Sequence, residues 1–180
     1  MSPSVFTIAS VLVVIYVLCP VSAIYVNNCM RNNPDNILHV REANTNPSNI
    51  VAPGNLLVNG NFDILHNVTS ELELSVVVKK KIWFVWVTAH RSTHRLCDLL
   101  NTEFLEVDGT TACPSQLASA GIPCRCPFTQ GRYTLPLSSF NVIKPDGVPY
   151  GRYWVKARLR DQDTGDLKAC YAVDFRLSRN

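Results

Sequence analysis

The sequence lacks the marks of most enzyme and binding classes. It has no G-x-S-x-G nucleophile elbow and no Gly-rich phosphate loop, so neither the hydrolase nor the nucleotide-binding signature is present. Its Asp and Glu residues are scattered over predicted strand exteriors and turns, where solvation is their default role. His90 and His94 are four apart, but a zinc site needs further ligands, and their surroundings predict a polar loop. There is no internal repeat, low-complexity tract or linker. Net charge is only +3, well short of a nucleic-acid-binding balance. In an acidic compartment the four histidines would add positive charge and favour anionic partners. Beyond residue 23 no apolar stretch is long enough to span a membrane. These absences predict a protein without catalytic residues, metal or cofactor.

What is present begins with an export signal. Val5 to Leu18 is an apolar run, followed by Cys19-Pro20 and the small residues Val21-Ser22-Ala23, which reads as a secretory signal peptide over 1–23. No Lys or Arg precedes the apolar core, a departure from the usual pattern. The alternative is a membrane anchor, but a span needs about 20 apolar residues and this run is shorter. Residues 24–180 then form one domain with room for a core. Of seven cysteines, Cys19 goes with the signal, leaving Cys29, Cys97, Cys113, Cys124, Cys126 and Cys170. An even set in an exported chain reads as three disulfides whose connectivity is open. Asn67-Val68-Thr69 is the only glycosylation sequon, because proline excludes Asn46-Pro47-Ser48.

Cys113 to Pro136 is too rich in Pro and Gly for one regular helix or strand, so it is read as a stapled hub. Cys124 and Cys126 flank a single residue, and pairing with separate partners is easier for them than pairing with each other. Around the hub the chain alternates as strands. Leu72, Leu74, Val76 and Val78 share one face, and Lys79-Lys80-Lys81 interrupts them. Tyr153 to Arg160 and Ala169 to Leu177 alternate apolar with charged residues about a turn at Asp163 to Asp166, which predicts an antiparallel hairpin. Ile37 to Val40 reads as an edge strand, and Arg132 to Leu135 and Phe140 to Ile143 as short strands. Asn59-Gly60 is either a turn or a bulge, and 97–107 either a strand or a helical turn. Ser115 to Ala120 predicts one short helix, with Ser115 as a possible cap and Gly121 after its end. The fold class is therefore all-β, an immunoglobulin-like β-sandwich of two antiparallel sheets.

Ile82-Trp83-Phe84-Val85-Trp86-Val87 has no polar residue on either face. It is either a strand buried on both sides or an apolar rim beside a basic patch, Lys79 to Lys81, suited to an anionic membrane surface. A lipid carrier needs such a rim. About sixteen methylenes at ~0.8 kcal/mol each make a chain averse to water by on the order of 13 kcal/mol. The carrier must enclose the chain and touch the bilayer to load it.

Cys97-Asp98-Leu99-Leu100, Cys113-Pro114, Gly121-Ile122-Pro123-Cys124-Arg125-Cys126-Pro127-Phe128 and Gly131-Arg132-Tyr133-Thr134-Leu135-Pro136 resemble the ganglioside-activator branch of the lipid-recognition β-sandwich (ML domain) superfamily. The similarity runs from about Cys29 to Leu177. It implies a cup of two sheets around a lipid cavity, with a non-enzymatic role: lifting a glycosphingolipid from a membrane and presenting it to a soluble lysosomal hexosaminidase-type hydrolase. A receptor-linked lipid sensor or a general sterol or phospholipid carrier would use the same cup. The resemblance also implies disulfides Cys29–Cys170, Cys97–Cys126 and Cys113–Cys124, a mobile apolar loop at Ile82, Trp83, Phe84, Val85 and Trp86, a second rim element at Val148 and Tyr150, and a secreted or lysosomal destination. The chain departs from the family at the cavity mouth. A further disulfide to the apolar loop has no cysteines here, the His90–His94 loop is shorter, and the second rim loop is reduced to Val148-Pro149-Tyr150.

Overall fold

The computed structural model describes residues 26–68, 71–103, 113–144 and 146–179. The expected signal at 1–23, Thr69 of the sequon and residues 104–112 lie outside them. In chain order come β1 (Val26–Asn28), β2 (Leu38–Asn46), β3 (Ile50–Val51), β4 (Gly54–Ile64), β5 (Leu72–Ile82) and β6 (Val85–Arg95). Helices α1 (Leu96–Glu103) and α2 (Ser115–Ser119) follow, then β7 (Gly131–Val142), β8 (Gly151–Asp161) and β9 (Leu167–Ser178). A six-stranded sheet runs β1-β9-β8-β5-β6, with β3 joined to β9, and a three-stranded sheet runs β2-β4-β7. All pairings are antiparallel except β3 with β9. This is a β-sandwich.

Register explains why the alternating segments lie where they do. Leu74, Val76 and Val78 of β5 sit opposite Leu159, Ala157 and Val155 of β8. Those residues in turn face Ala169, Tyr171 and Val173 of β9. Directly opposed residues share a face, so one apolar wall forms across three strands. Tyr171 ties this wall to the other sheet: its hydroxyl donates to the Leu38 carbonyl at 2.7 Å and accepts from the Val40 N–H at 3.1 Å. Three disulfides, Cys29–Cys170, Cys97–Cys126 and Cys113–Cys124, fasten the residue after β1 to β9, α1 to the hub, and the hub to itself.

Several expectations need correction. The lysines at 79–81 do not interrupt β5, because pairing with β8 continues through Lys79↔Trp154 and Lys80↔Tyr153. Residues 90–94 are not a loop but part of β6, an edge strand paired with β5 along one side and with its side chains largely exposed to water. Ile82 to Val87 is not one strand; it is broken by a turn at Trp83-Phe84. The two short strands after the hub are one, β7, which passes through Pro136. The ladder skips between Gly60↔Leu135 and Val58↔Ser138, and an edge-strand bulge accommodates a residue with no N–H to donate. Asn59-Gly60 is part of that bulge and not a turn. A side chain at Gly60 would bring its Cβ within 2.7 Å of the Glu42 carbonyl oxygen, so only glycine fits. The ambiguous 97–107 stretch is helical as far as Glu103, which gives a second short helix beside the expected one. Ser115 does not cap α2: Pro114 holds that position, with no side-chain cap, while Gly121 follows the helix at φ +65° as expected.

Buried apolar residues form two separate clusters. Ala52, Tyr153 and Leu177, with Val78, Val148 and Phe175 against them, lie toward one end of the sandwich. Ile64, Val68 and Leu72, with Leu96, Phe128 and Leu159, lie toward the other. Between them Leu74, Val76, Val155 and Ala157 face inward on central strands yet remain only half-buried. In a filled sandwich, side chains of the two sheets interdigitate and close off such positions. Here a belt of the inner wall is only partly covered by the described residues.

Candidate functional site: an apolar hairpin tip and an open belt

The β5–β6 hairpin closes at Ile82↔Val85, leaving Trp83 and Phe84 as a two-residue turn. Such turns favour Gly, Asn or Asp where φ is positive. Trp83 nevertheless adopts φ +55°, a conformation that costs a bulky L-residue about 1 kcal/mol or more. It is 87 % exposed and Phe84 90 % exposed, so packing returns nothing for the strain. Ile82, Val85 and Val87 beside them are exposed as well.

The lysine triplet is divided by the pleat. Lys80 is opposite the buried Tyr153 and shares its inward face, whereas Lys79 and Lys81 point outward. The Lys79 ammonium lies 5.2 Å from the Trp154 ring centroid, and the Lys81 ammonium 5.9 Å from that of Trp86. The Lys80 stem crosses Gly151, where an added Cβ would stand 3.1 Å from Lys80 Cε and where φ is +148°. Glycine here admits the lysine.

Val148 and Tyr150 pack on the Ala52–Tyr153–Leu177 cluster, at the hairpin's end of the sandwich. The Tyr150 hydroxyl donates to the Ala52 carbonyl at 3.0 Å, with Lys144 and Arg179 over its ring. Tyr153 donates to the Pro149 carbonyl, and burial pushes its phenol pKa up. These contacts hold the 148–150 segment close to the sheet.

At the opposite end an apolar cavity of about 190 Å³ is lined by residues including Ile37, Phe62, Ile64, Leu72, Phe128 and Leu159. None of the rim residues expected from the sequence lines it. From Leu72 to Ile82, β5 spans roughly 33 Å, and the half-buried belt lies between cavity and tip. The cavity alone is smaller than the roughly 300–1,000 Å³ of ordinary ligand pockets. The sequence did not single out its lining residues, because alternation marks an inward face without revealing what fills the space opposite. Asn67 is exposed near this end, its side-chain carbonyl accepting the Gln130 N–H at 2.7 Å.

One buried charge lies apart from the tip. Burial pushes the Asp63 carboxyl up, but hydrogen bonds and charges from Arg132 and Arg41 outweigh this and hold it below its ordinary value. Among the described residues no His, Cys, Asp or Glu cluster could hold a metal ion, and no helix is long and apolar enough to cross a membrane.

The sequence profile of the ML domain matches residues 23–177. The chain belongs to the ML domain family. Among curated proteins this ML domain is similar to the ganglioside GM2 activator of Macaca fascicularis, 27 % identical over 135 residues, covering 68 % of each chain. It is also similar to the ganglioside GM2 activator of Mus musculus, 28 % identical over 130 residues, covering 67 % of this chain and 66 % of the relative. Among solved structures, a Niemann-Pick type C2 protein from the Japanese carpenter ant aligns over 86 % of this chain and 99 % of its own, at 13 % identity and a TM-score of 0.43.

Proposed function

We propose that this ML domain is a non-enzymatic lipid-binding and transfer protein. It lifts a glycosphingolipid from a membrane and presents the sugar head to a soluble hydrolase of the hexosaminidase type, in a secretory or lysosomal setting. Family membership and similarity to ganglioside GM2 activators support lipid binding. The observation that carries the carrier reading is Trp83: a large aromatic residue held at positive φ and almost wholly exposed. Folding alone would favour glycine at that position. Burying Trp83 and Phe84 in a bilayer gains roughly 1.5–3 kcal/mol each, enough for reversible contact and too little for a permanent anchor. The half-buried belt and the apolar cavity beyond it provide a path for an acyl chain along the inner wall.

The test is transfer of a fluorescent glycolipid between vesicles by the purified protein. Transfer is expected to fall several-fold in Trp83→Ala and in Phe84→Ala. Undiminished transfer in both variants would remove the tip from the mechanism. Transfer with no stimulation of an added hexosaminidase would leave a carrier and remove the hydrolase.

A further inference from the structure

The outer face of the larger sheet carries charge that the tip and the belt do not use. Register sets its outward residues in rows across β6, β5 and β8: Thr88–Lys79–Trp154, Arg91–Val77–Lys156 and Thr93–Ser75–Arg158, with Lys81 opposite Trp86 next to the turn. Three other cations of this face have partners. Arg152 holds Asp174 through two contacts, at 2.8 and 2.7 Å, Arg95 lies 3.7 Å from Glu71, and Arg160 donates to the Gly165 carbonyl. Lys79, Lys81, Arg91, Lys156 and Arg158 make no ion pair with a described carboxylate. Burial pushes the Lys156 ammonium pKa down, and Arg158 and Lys79 push it the same way. Like charges are therefore crowded here, and the carboxylates of the face lie at its margins: Glu73 in the next row, opposite Arg95 and Arg160, and Asp174, held by Arg152. Trp154 and Trp86 lie among them, each under a lysine. The field continues without a break into the exposed Trp83–Phe84 turn.

We propose that this basic face lies against an anionic membrane surface, with the molecule tilted so that the Trp83–Phe84 tip enters the same leaflet. The inference deepens the carrier reading by naming its docking surface and the lipid charge that surface selects. A basic face continuous with exposed aromatic residues is the arrangement of a membrane-interface protein, and this favours a bilayer over an acidic protein as occupant. Distance separates the tilted pose from one in which only the tip touches. Arg158 is opposite Ser75, about 27 Å along the strand from the turn, whereas fields decay over about 10 Å at 0.1 M salt. With the strands upright Arg158 has no effect. With the face down it sits among the headgroups, and each cation removed there weakens binding about fivefold.

The experiment is co-sedimentation of the purified protein with phosphatidylcholine vesicles, with and without phosphatidylserine. The variants are Arg91→Gln/Arg158→Gln and, separately, Trp83→Ala, each checked for folding by circular dichroism and thermal melting. The double variant is expected to bind the anionic vesicles about 25-fold more weakly, at two cations removed, with binding to neutral vesicles unchanged. Trp83→Ala is expected to weaken binding to both. Wild-type binding of the double variant to anionic vesicles would overturn the proposal and leave the face to an acidic protein or to no partner. An equal loss on both kinds of vesicle would overturn it too. The carrier reading is judged separately by wild-type transfer from neutral vesicles, which this face does not govern.

Discussion

Lys79 and Trp154 stand directly opposite one another on β5 and β8, with the ammonium 5.2 Å from the ring centroid. The contact gives Lys79 a partner without neutralising it, so the outer face keeps its charge. A cation over a partly exposed indole contributes on the order of 1 kcal/mol. A double-mutant cycle with Lys79→Met and Trp154→Leu, followed by urea denaturation, is expected to return a coupling of that size. A coupling of zero would mean that the pair merely shares a surface.

The turn at Trp83 sets stability against contact area. Trp83→Gly relieves the left-handed backbone strain, and the greater freedom of glycine in the unfolded chain offsets part of that relief. The expected net gain is about 0.5–1 kcal/mol, a rise in melting temperature of about 2 °C for a domain of this size. Lipid transfer falls in the same variant. A protein that becomes less stable on this substitution would show that the tryptophan has a structural role after all.

Asp63 makes the fold sensitive to acid in a defined window. Its carboxyl pKa is held below the ordinary value of 3.8, the cations of Arg132 and Arg41 outweighing burial. A carboxylate with a depressed pKa contributes its stabilisation fully above the unfolded-state pKa and loses it as pH falls through the folded-state pKa. The contribution is thus intact at pH 5 and above and disappears progressively below about pH 4. Melting curves of wild type and Asp63→Asn from neutral pH to about pH 2.5 are expected to differ most at neutral pH and to converge in acid. A constant gap would remove the cluster as the cause.

Much of the sandwich was legible because its inner wall follows the period of a strand. Leu72 to Val78, Tyr153 to Leu159 and Ala169 to Leu177 alternate in the sequence and align in the structure. Where alternation fails, so did the reading. Lys79 to Lys81 looked like an interruption, although a strand needs only backbone partners and β8 supplies them. His90 to His94 looked like a loop because an edge strand with neither side chain row fully covered carries no apolar signal. The apolar run at Ile82 to Val87 left a buried strand and an exposed rim equally open. The difference rests on the two-residue turn at Trp83, which follows from register and not from composition. The cavity near Leu72 and Phe128 depends on the separation of two sheets, a quantity no single strand encodes.

The two buried clusters at opposite ends of the sandwich have a consequence for how the molecule persists. Leu74, Val76, Val155 and Ala157 keep part of their apolar surface uncovered by the described residues. In the proposed carrier, a lipid lying along that belt would complete its cover. By mass action, a ligand at a hundred times its dissociation constant stabilises the native state by about 2.7 kcal/mol. Cargo in the proposed carrier would then do more than ride in the protein: loaded molecules would resist opening and proteolysis better than molecules that have given up their lipid.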